Sequence, residues 1–120
     1  MLSMVVGAAL QGPAGGLPIP RTMVHQLHAV AERLKDGPAL WTRRGGEWVP
    51  TSWRQYAQRV RDFSLGLQAL GFKAGQSLVL IGFNREEWVV ASLAAMAAGG
   101  TAVGIYTTSS AEQMGYVAGH

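Results

Sequence analysis

The longest uncharged stretch of this chain limits its fold more than any other feature. No Asp, Glu, Lys or Arg occurs from Trp88 to Ala111. Its length is close to that of a membrane span. However, Ala and Gly dominate it, strongly apolar side chains are few, and Gly99-Gly100 would break a spanning helix. The stretch therefore predicts a buried helix followed by a buried strand.

The charge content of the whole chain is low. Charged residues make up 14% of the 120 residues, against about 25% in typical soluble domains, while the hydrophobic share of 48% is ordinary. This combination indicates that other polypeptide covers much of the surface. The net charge of +3 comes from ten basic and seven acidic residues that interleave, so no basic stripe indicates a nucleic-acid partner.

The chain contains no cysteine, which excludes disulfides, thiolate catalysis and cysteine-based zinc sites and fits a cytoplasmic location. Residues 1–20 predict a flexible leader, since no Lys or Arg precedes their short apolar run and a Gly/Pro-rich segment follows. Peripheral membrane contact through this leader and the first helix remains an alternative. Residues 21–120 predict part of one domain.

Four helices are predicted from their caps and apolar spacing. The first begins after Thr22 and ends at a Gly37 cap before Pro38. The second follows a Ser52–Gln55 capping box and carries an apolar stripe of Trp53, Tyr56, Ala57, Val60, Phe63, Leu67 and Leu70. Asn84 with Glu87 is predicted to cap the third helix, and Ser109 with Glu112 the fourth.

Three regions predict strands. Gly45-Gly46 lies between two short runs that contain Trp41 and Trp48, which is typical of a β-hairpin. "SLVLIGF" and "TAVGIY" flank the third helix, and this alternation predicts parallel strands joined by a right-handed crossover. The fold class is therefore α/β. Two sheet strands and four helices are too few to cover the third helix and both sheet faces, so we expect further polypeptide to do so.

The residues alone do not identify a catalytic, cofactor-binding or metal site. The hydroxyl-rich segment Tyr106–Gln113 could hold a phosphate, but it lacks the glycines and lysine of a phosphate-binding loop, so its side chains are interpreted as turn and cap. His25 and His28 have a spacing that fits two metal ligands, without a third. Glu86-Glu87 is interpreted as a helix start instead of a catalytic pair. We assign no catalytic, cofactor-binding or metal-ligating residue.

The order of several short motifs from about residue 20 to 120 resembles the start of the AMP-dependent, adenylate-forming acyl-CoA synthetases, most closely their long-chain fatty acid branch. The matching residues are Trp48, Ser52-Trp53, Leu70-Gly71, Gly75, Asn84-Arg85, Glu87-Trp88, Ala98-Gly99, Tyr106, Thr108-Ser109-Ser110 and Glu112-Gln113. The chain departs from that pattern at Gln76-Ser77, Ser92 and Glu86, which are interpreted as surface or turn changes.

The resemblance implies a fold and a reaction. The chain would be the incomplete opening portion of the large N-terminal domain, an N-terminal fragment of a long-chain fatty acid–CoA ligase. In that family, a fatty acid and Mg²⁺-bound ATP give an acyl-adenylate and pyrophosphate, and coenzyme A then displaces AMP. The family's phosphate loop, nucleotide pocket and mobile lysine lie downstream and have no match here. We therefore expect the chain alone to be inactive. The alternative is a self-standing small α/β binding or interaction module.

Overall fold

The computed structural model describes residues 22–120. The expected leader, residues 1–20, lies outside this range. The elements in chain order are α1 (Met23–Leu34), β1 (Pro38–Arg44), β2 (Glu47–Ser52), α2 (Trp53–Ala69), β3 (Ser77–Ile81), α3 (Glu86–Ala97), β4 (Thr101–Ile105) and α4 (Ala111–Gly119). This arrangement confirms the predicted α/β class, including the hairpin and the four helices.

Two separate two-stranded sheets form within the described residues. β1 and β2 pair antiparallel around Gly45 and Gly46, whose φ angles of 58° and 91° suit a tight hairpin turn. β3 and β4 pair parallel, with Val79 opposite Val103, and α3 connects them. The predicted parallel pair is therefore confirmed. No helix of residues 22–120 is both long and apolar enough to cross a membrane.

The core lies where α2 packs on α3, with α1 packing against α2. Val90 to Ala95 are buried without interruption, so successive residues on every side of α3 are covered. The side chains of Ala94 and Ala95 are 0% exposed, and their small size lets neighbouring elements approach α3 closely. One side of α3 contacts α2 and another contacts the β3–β4 sheet. The buried residues of this cluster are Leu27, Ala31, Tyr56, Ala57, Val60, Val90, Leu93 and Ala94.

The predicted apolar stripe of α2 is only partly correct. Tyr56, Ala57 and Val60 are buried, but Phe63 and Leu70 are 43% and 88% exposed. Ser64 is buried instead, because the face that meets α3 continues from Val60 to the residue one turn later.

Two of the predicted helix ends are confirmed in detail. The Thr22 hydroxyl accepts a hydrogen bond from the His25 backbone N–H. Ser52 and Gln55 form the predicted capping box, with donor–acceptor distances of 3.2 and 2.9 Å.

Three predicted helix ends are wrong. Lys35, not Gly37, adopts the positive φ of 43° that ends α1. The N-cap of α3 is Arg85 instead of Asn84, without a side-chain cap hydrogen bond. The box that begins α4 is Ser110 with Gln113, one residue later than predicted, because the Ser109 N–H bonds to the Tyr106 carbonyl and extends the turn.

The two faces of the β3–β4 sheet differ in their cover. A Cβ at Gly104 would lie 3.0 Å from Trp88 Cζ2, so the face that contains Gly104 is the one that meets α3. Neighbouring residues along a strand point to opposite faces, so Val103 and Ile105, on either side of Gly104, point away from α3. No helix among residues 22–120 packs extensively on this second face, which we call the open sheet face. It consists of Val79, Ile81, Val103 and Ile105, with Ser77 and Thr101 paired at its edge.

Removal of two buried methyl groups should show how much the core depends on the α2–α3 contact. Val60 is 1% exposed, so Val60→Ala should lower the free energy of unfolding by about 1–3 kcal/mol through lost burial and an unfilled cavity. Val117→Ala, at a 39% exposed position of α4, is the matched control and should change stability little. Urea unfolding followed by circular dichroism measures both; equal effects would place Val60 outside the core.

Burial raises the pKa of the Tyr56 hydroxyl above its ordinary value. The folded chain therefore keeps this proton when the unfolded chain begins to lose it, and the free energy of unfolding should fall as the pH rises through about 10. Tyr56→Phe should weaken this alkaline dependence, whereas Tyr116→Phe, at a 69% exposed position, should retain it. Urea unfolding from about pH 8 to 11 tests the prediction, and identical pH profiles for the two variants would contradict it.

Candidate functional site

A shallow cleft lies at the carboxyl ends of the two parallel strands. It has a volume of about 370 Å³, and its walls include Phe83, Asn84, Trp88, Tyr106 and Thr107. Loops at this end of a parallel sheet are the usual position for ligands in α/β folds. Three of its lining side chains are aromatic, the other lining residues are glycine, aliphatic or neutral polar, and Asp, Glu, Lys, Arg and His are all absent from its lining. Its walls can therefore contact an apolar or neutral group but supply no charged acid or base.

The segment Tyr106–Gln113 forms the connection from β4 to α4. Ser110 accepts a hydrogen bond from the Gln113 N–H at 3.2 Å, and the Gln113 side chain accepts one from the Ser110 N–H at 2.9 Å. These two side chains occupy backbone donors that a phosphate would need, and the exposed acid Glu112 stands in the first turn. The geometry agrees with the interpretation of this segment as turn and cap, with Ser110 in the capping role predicted for Ser109.

The two histidines of α1 do not converge on a common site. His25 Nδ1 lies 2.9 Å from the Thr22 hydroxyl, and His28 is exposed. Between residues 22 and 120, no group of three or more His, Cys, Asp or Glu side chains is placed to hold a metal ion.

The most unusual polar group of the structure is Glu86, the first residue of α3. Its side chain is only 4% exposed. Thr42 Oγ1 donates to one carboxylate oxygen at 2.8 Å, and Thr51 Oγ1 donates to the other at 3.1 Å. Interpretation of Glu86 as a surface or turn change was wrong, because the helix begins with this carboxylate turned inwards.

Two arginines complete the neutralisation of this carboxylate. Arg59 forms an ion pair with Glu86, and Arg44 Nη2 lies 3.6 Å from Glu86 Oε2. The Arg59 guanidinium extends from α2 to this carboxylate. Arg59 Nη1 also lies 3.5 Å from the Thr51 hydroxyl. We call Glu86 and its four partners Thr42, Arg44, Thr51 and Arg59 the Glu86 cluster.

The Glu86 cluster joins β1, β2 and α2 to the start of α3. A buried carboxylate is stable only when ion pairs and hydrogen bonds replace its water, and this carboxylate has both. The loop from β3 to α3, which forms one wall of the cleft, precedes Glu86 directly. The cluster therefore fixes the position of that loop relative to the hairpin, and none of its five residues lines the cleft.

The neighbouring Glu87 does not have the capping role predicted for it. Its carboxylate pairs with Arg85 at 3.0 Å and is exposed. A backbone hydrogen bond at Glu87, followed by the hydrogen bond from Arg85, lowers the pKa of this carboxyl. Sequence reasoning missed the difference between the two glutamates, because the two threonine partners of Glu86 lie 35 and 44 residues away along the chain.

Comparison with known protein families decides the classification of the chain. The family model described as AMP-binding enzyme matches residues 27–120. The chain belongs to the AMP-binding enzyme family. This membership confirms the resemblance that the ordered motifs indicated.

Members of the AMP-binding enzyme family that are similar to this chain include long-chain-fatty-acid–CoA ligases. The Xenopus laevis ligase is 39% identical over 101 residues, which cover 83% of this chain and 14% of the ligase. A Mus musculus ligase is 39% identical over 98 residues, covering 82% of the chain and 15% of the ligase. The chain thus spans about one-seventh of the length of these relatives.

The fold agrees with this AMP-binding family assignment. The crystal structure of the fatty acid AMP ligase from Legionella pneumophila superimposes with a TM-score of 0.68 at 20% identity, covering 79% of this chain and 17% of that structure. At this identity the likeness supports the fold. The predicted class, the opening portion of an adenylate-forming N-terminal domain, therefore agrees with both sequence and structure.

The Glu86 cluster generates a prediction about stability. Glu86→Ala should lower the free energy of unfolding by roughly 2 kcal/mol or more, since it removes the acceptor of two hydroxyls and the partner of Arg59. Glu86→Gln should cost less, because one carbonyl oxygen remains to accept a hydrogen bond. The matched control is Glu87→Gln, whose exposed side chain should contribute much less. Urea titrations of the three variants test this order, and a Glu86→Ala midpoint equal to that of Glu87→Gln would contradict it.

Proposed function

We propose that this chain forms the opening segment of the large N-terminal domain of an ATP-dependent long-chain fatty acid–CoA ligase. The complete enzyme would convert a fatty acid, ATP and coenzyme A into acyl-CoA, AMP and pyrophosphate. The observation that carries the proposal is the match to the AMP-binding enzyme family over residues 27–120. The 39% identity to ligases named for this reaction supports the choice of a long-chain fatty acid as substrate.

The described residues do not themselves fit a binding site for ATP, Mg²⁺ or coenzyme A. The two loops at the carboxyl ends of β3 and β4 carry no lysine and no glycine-rich turn that would surround a phosphate. No group of three or more metal-ligating side chains forms between residues 22 and 120. We therefore propose that other parts of the enzyme bind these cofactors and that residues 22–120 supply scaffold.

The open sheet face supports a scaffold role within a larger domain. Parallel sheets are normally covered on both faces, but here α3 covers one face, and the other exposes four aliphatic residues beside the Ser77–Thr101 pair. Ile81 on this face is 51% exposed. We propose that the remainder of the same domain packs on the open sheet face. A self-standing module would be expected to cover these residues itself, so the structure favours this alternative less.

An activity measurement tests the proposal directly. We expect the 120-residue chain alone to show no fatty-acid-dependent exchange of pyrophosphate into ATP, because its residues 22–120 provide no nucleotide site. The protein made from the whole reading frame that contains these residues should show this exchange with a long-chain fatty acid and should form acyl-CoA when coenzyme A is added.

Each arm of this experiment has an outcome that contradicts the proposal. Exchange by the short chain at enzyme-like rates would disprove the scaffold role. Absence of fatty-acid-dependent exchange in the full-frame protein, with correct folding shown by circular dichroism, would disprove the ligase assignment.

A further inference from the structure

The indole ring of Trp88 lies across the carboxyl ends of both parallel strands. Gly82 follows β3 directly, and a Cβ built on it would lie 3.9 Å from Trp88 Cδ1, which belongs to the five-membered ring. Gly104 belongs to β4, and a Cβ built there would lie 3.0 Å from Cζ2 and 3.6 Å from Cη2, which belong to the six-membered ring. The two ends of one side chain therefore lie against two neighbouring strands.

Backbone conformation does not account for either of these glycines. Gly82 and Gly104 do not belong to the glycines with positive φ, so neither position needs glycine for its main-chain angles. Glycine inside a strand often marks the close approach of another group. At Gly104 that group is the Trp88 ring, because a Cβ only 3.0 Å from Cζ2 would be closer than the usual carbon–carbon contact of about 3.5–4.0 Å.

The backbone of Trp88 is held separately from its ring. Trp88 lies in the first turn of α3, two residues after Glu86. Its N–H donates to the Arg85 carbonyl at 3.2 Å, and its carbonyl accepts a hydrogen bond from Ser92 Oγ at 3.0 Å. The Glu86 cluster holds this turn against the hairpin and α2. The position of the ring therefore depends on Glu86 at one end and on the space beside Gly104 at the other.

We propose that Trp88 is the positioning residue of the cleft at the carboxyl ends of β3 and β4. Its ring is part of the cleft wall and lies where the β3–α3 and β4–α4 loops begin. By occupying the space beside Gly104, the ring sets the separation of these two loops, while Glu86 fixes the turn that carries it. Phe83 and Tyr106, which stand on the two loops, are thus placed relative to each other by one side chain.

This role of Trp88 depends only on packing between described elements. The contacts with Gly82 and Gly104 lie within residues 22–120, so they hold whether or not other polypeptide covers the outside of this segment. The role also does not depend on which ligand the complete enzyme binds. The indole carries no charged acid or base, and Trp88 therefore acts through the loops that it spaces.

Alanine at each of the two glycines tests the contact in the 120-residue chain. Gly104→Ala places a Cβ in the space of the ring and should lower the urea midpoint of unfolding. Gly82→Ala is the matched control, since its Cβ would lie 3.9 Å from the same ring, and it should leave the midpoint unchanged or raise it. In a Trp88→Phe background, which lacks Cζ2 and Cη2, Gly104→Ala should lower the midpoint much less.

A spectroscopic readout follows the ring itself. The chain contains four tryptophans, so fluorine NMR of the chain labelled with fluorotryptophan should give four resonances, and the one absent from Trp88→Phe belongs to Trp88. Gly104→Ala should shift this resonance more than the other three. Glu86→Gln should also shift it, and by more than Glu87→Gln does, because the exposed Glu87 pairs with Arg85 and is not part of the Glu86 cluster.

Either of two results would overturn the proposal. The first is a Gly104→Ala effect on the urea midpoint that is as large in the Trp88→Phe background as in the unmodified chain, since the ring would then not be what meets the new Cβ. The second is a Trp88 resonance that Glu86→Gln and Glu87→Gln move equally, since the ring would then not take its position from Glu86. The second result decides even if Gly104→Ala does not fold, because Glu86→Gln retains the size of the side chain and one carbonyl oxygen.

Discussion

The burial of α3 on all sides is the constraint on which the rest of the structure depends. The middle of a helix can be enclosed this way only if that run carries no charge and few bulky side chains. The run Val90–Ala95 meets both conditions, with Ala94 and Ala95 fully buried. Because α2 takes one side of α3 and the β3–β4 pair takes another, the positions of these elements follow from the same helix.

Glu86, the first residue of α3, is a charged residue that is buried together with the uncharged run. The N-terminus of a buried helix has backbone N–H groups without partners and a partial positive charge, which favours an acidic residue there. Here that acid also contacts the hairpin and α2, through two hydroxyls and two guanidiniums. The apolar packing thus determines which helices meet, and the Glu86 cluster determines where the hairpin lies relative to them.

Much of this architecture could be predicted from local patterns. Gly45-Gly46 predicted the hairpin, and Ser52 with Gln55 predicted the start of α2. The uncharged run predicted a buried helix and a buried strand; the helix is buried, whereas the residues of β4 are half-buried or exposed. Each of these signals acts between neighbouring residues. The errors at Asn84 and Ser109 are shifts of one residue, which arise because several adjacent polar residues could serve as caps and the turn geometry selects among them.

The Glu86 cluster could not be predicted in the same way. Its partners belong to three elements, and no spacing in the sequence relates Thr42 to Glu86. The two glutamates also look equivalent until the direction of the first turn of α3 is known. Fold-level features therefore followed from residue type and periodicity, whereas the orientation of one carboxylate depended on tertiary packing. The family resemblance was recognised from the order of several short motifs, since no single residue among them is specific to the family.

The separation between the hairpin and Glu86 has a consequence for the order of folding. Thr42 precedes its carboxylate partner by 44 residues, and closing so long a loop carries an entropic penalty before any contact compensates for it. During synthesis, the hairpin leaves the ribosome well before Glu86 does. It can form its own strand pairing and its contacts with α2 early, whereas the hydrogen bonds of Thr42 and Thr51 to Glu86 have to wait until the start of α3 emerges.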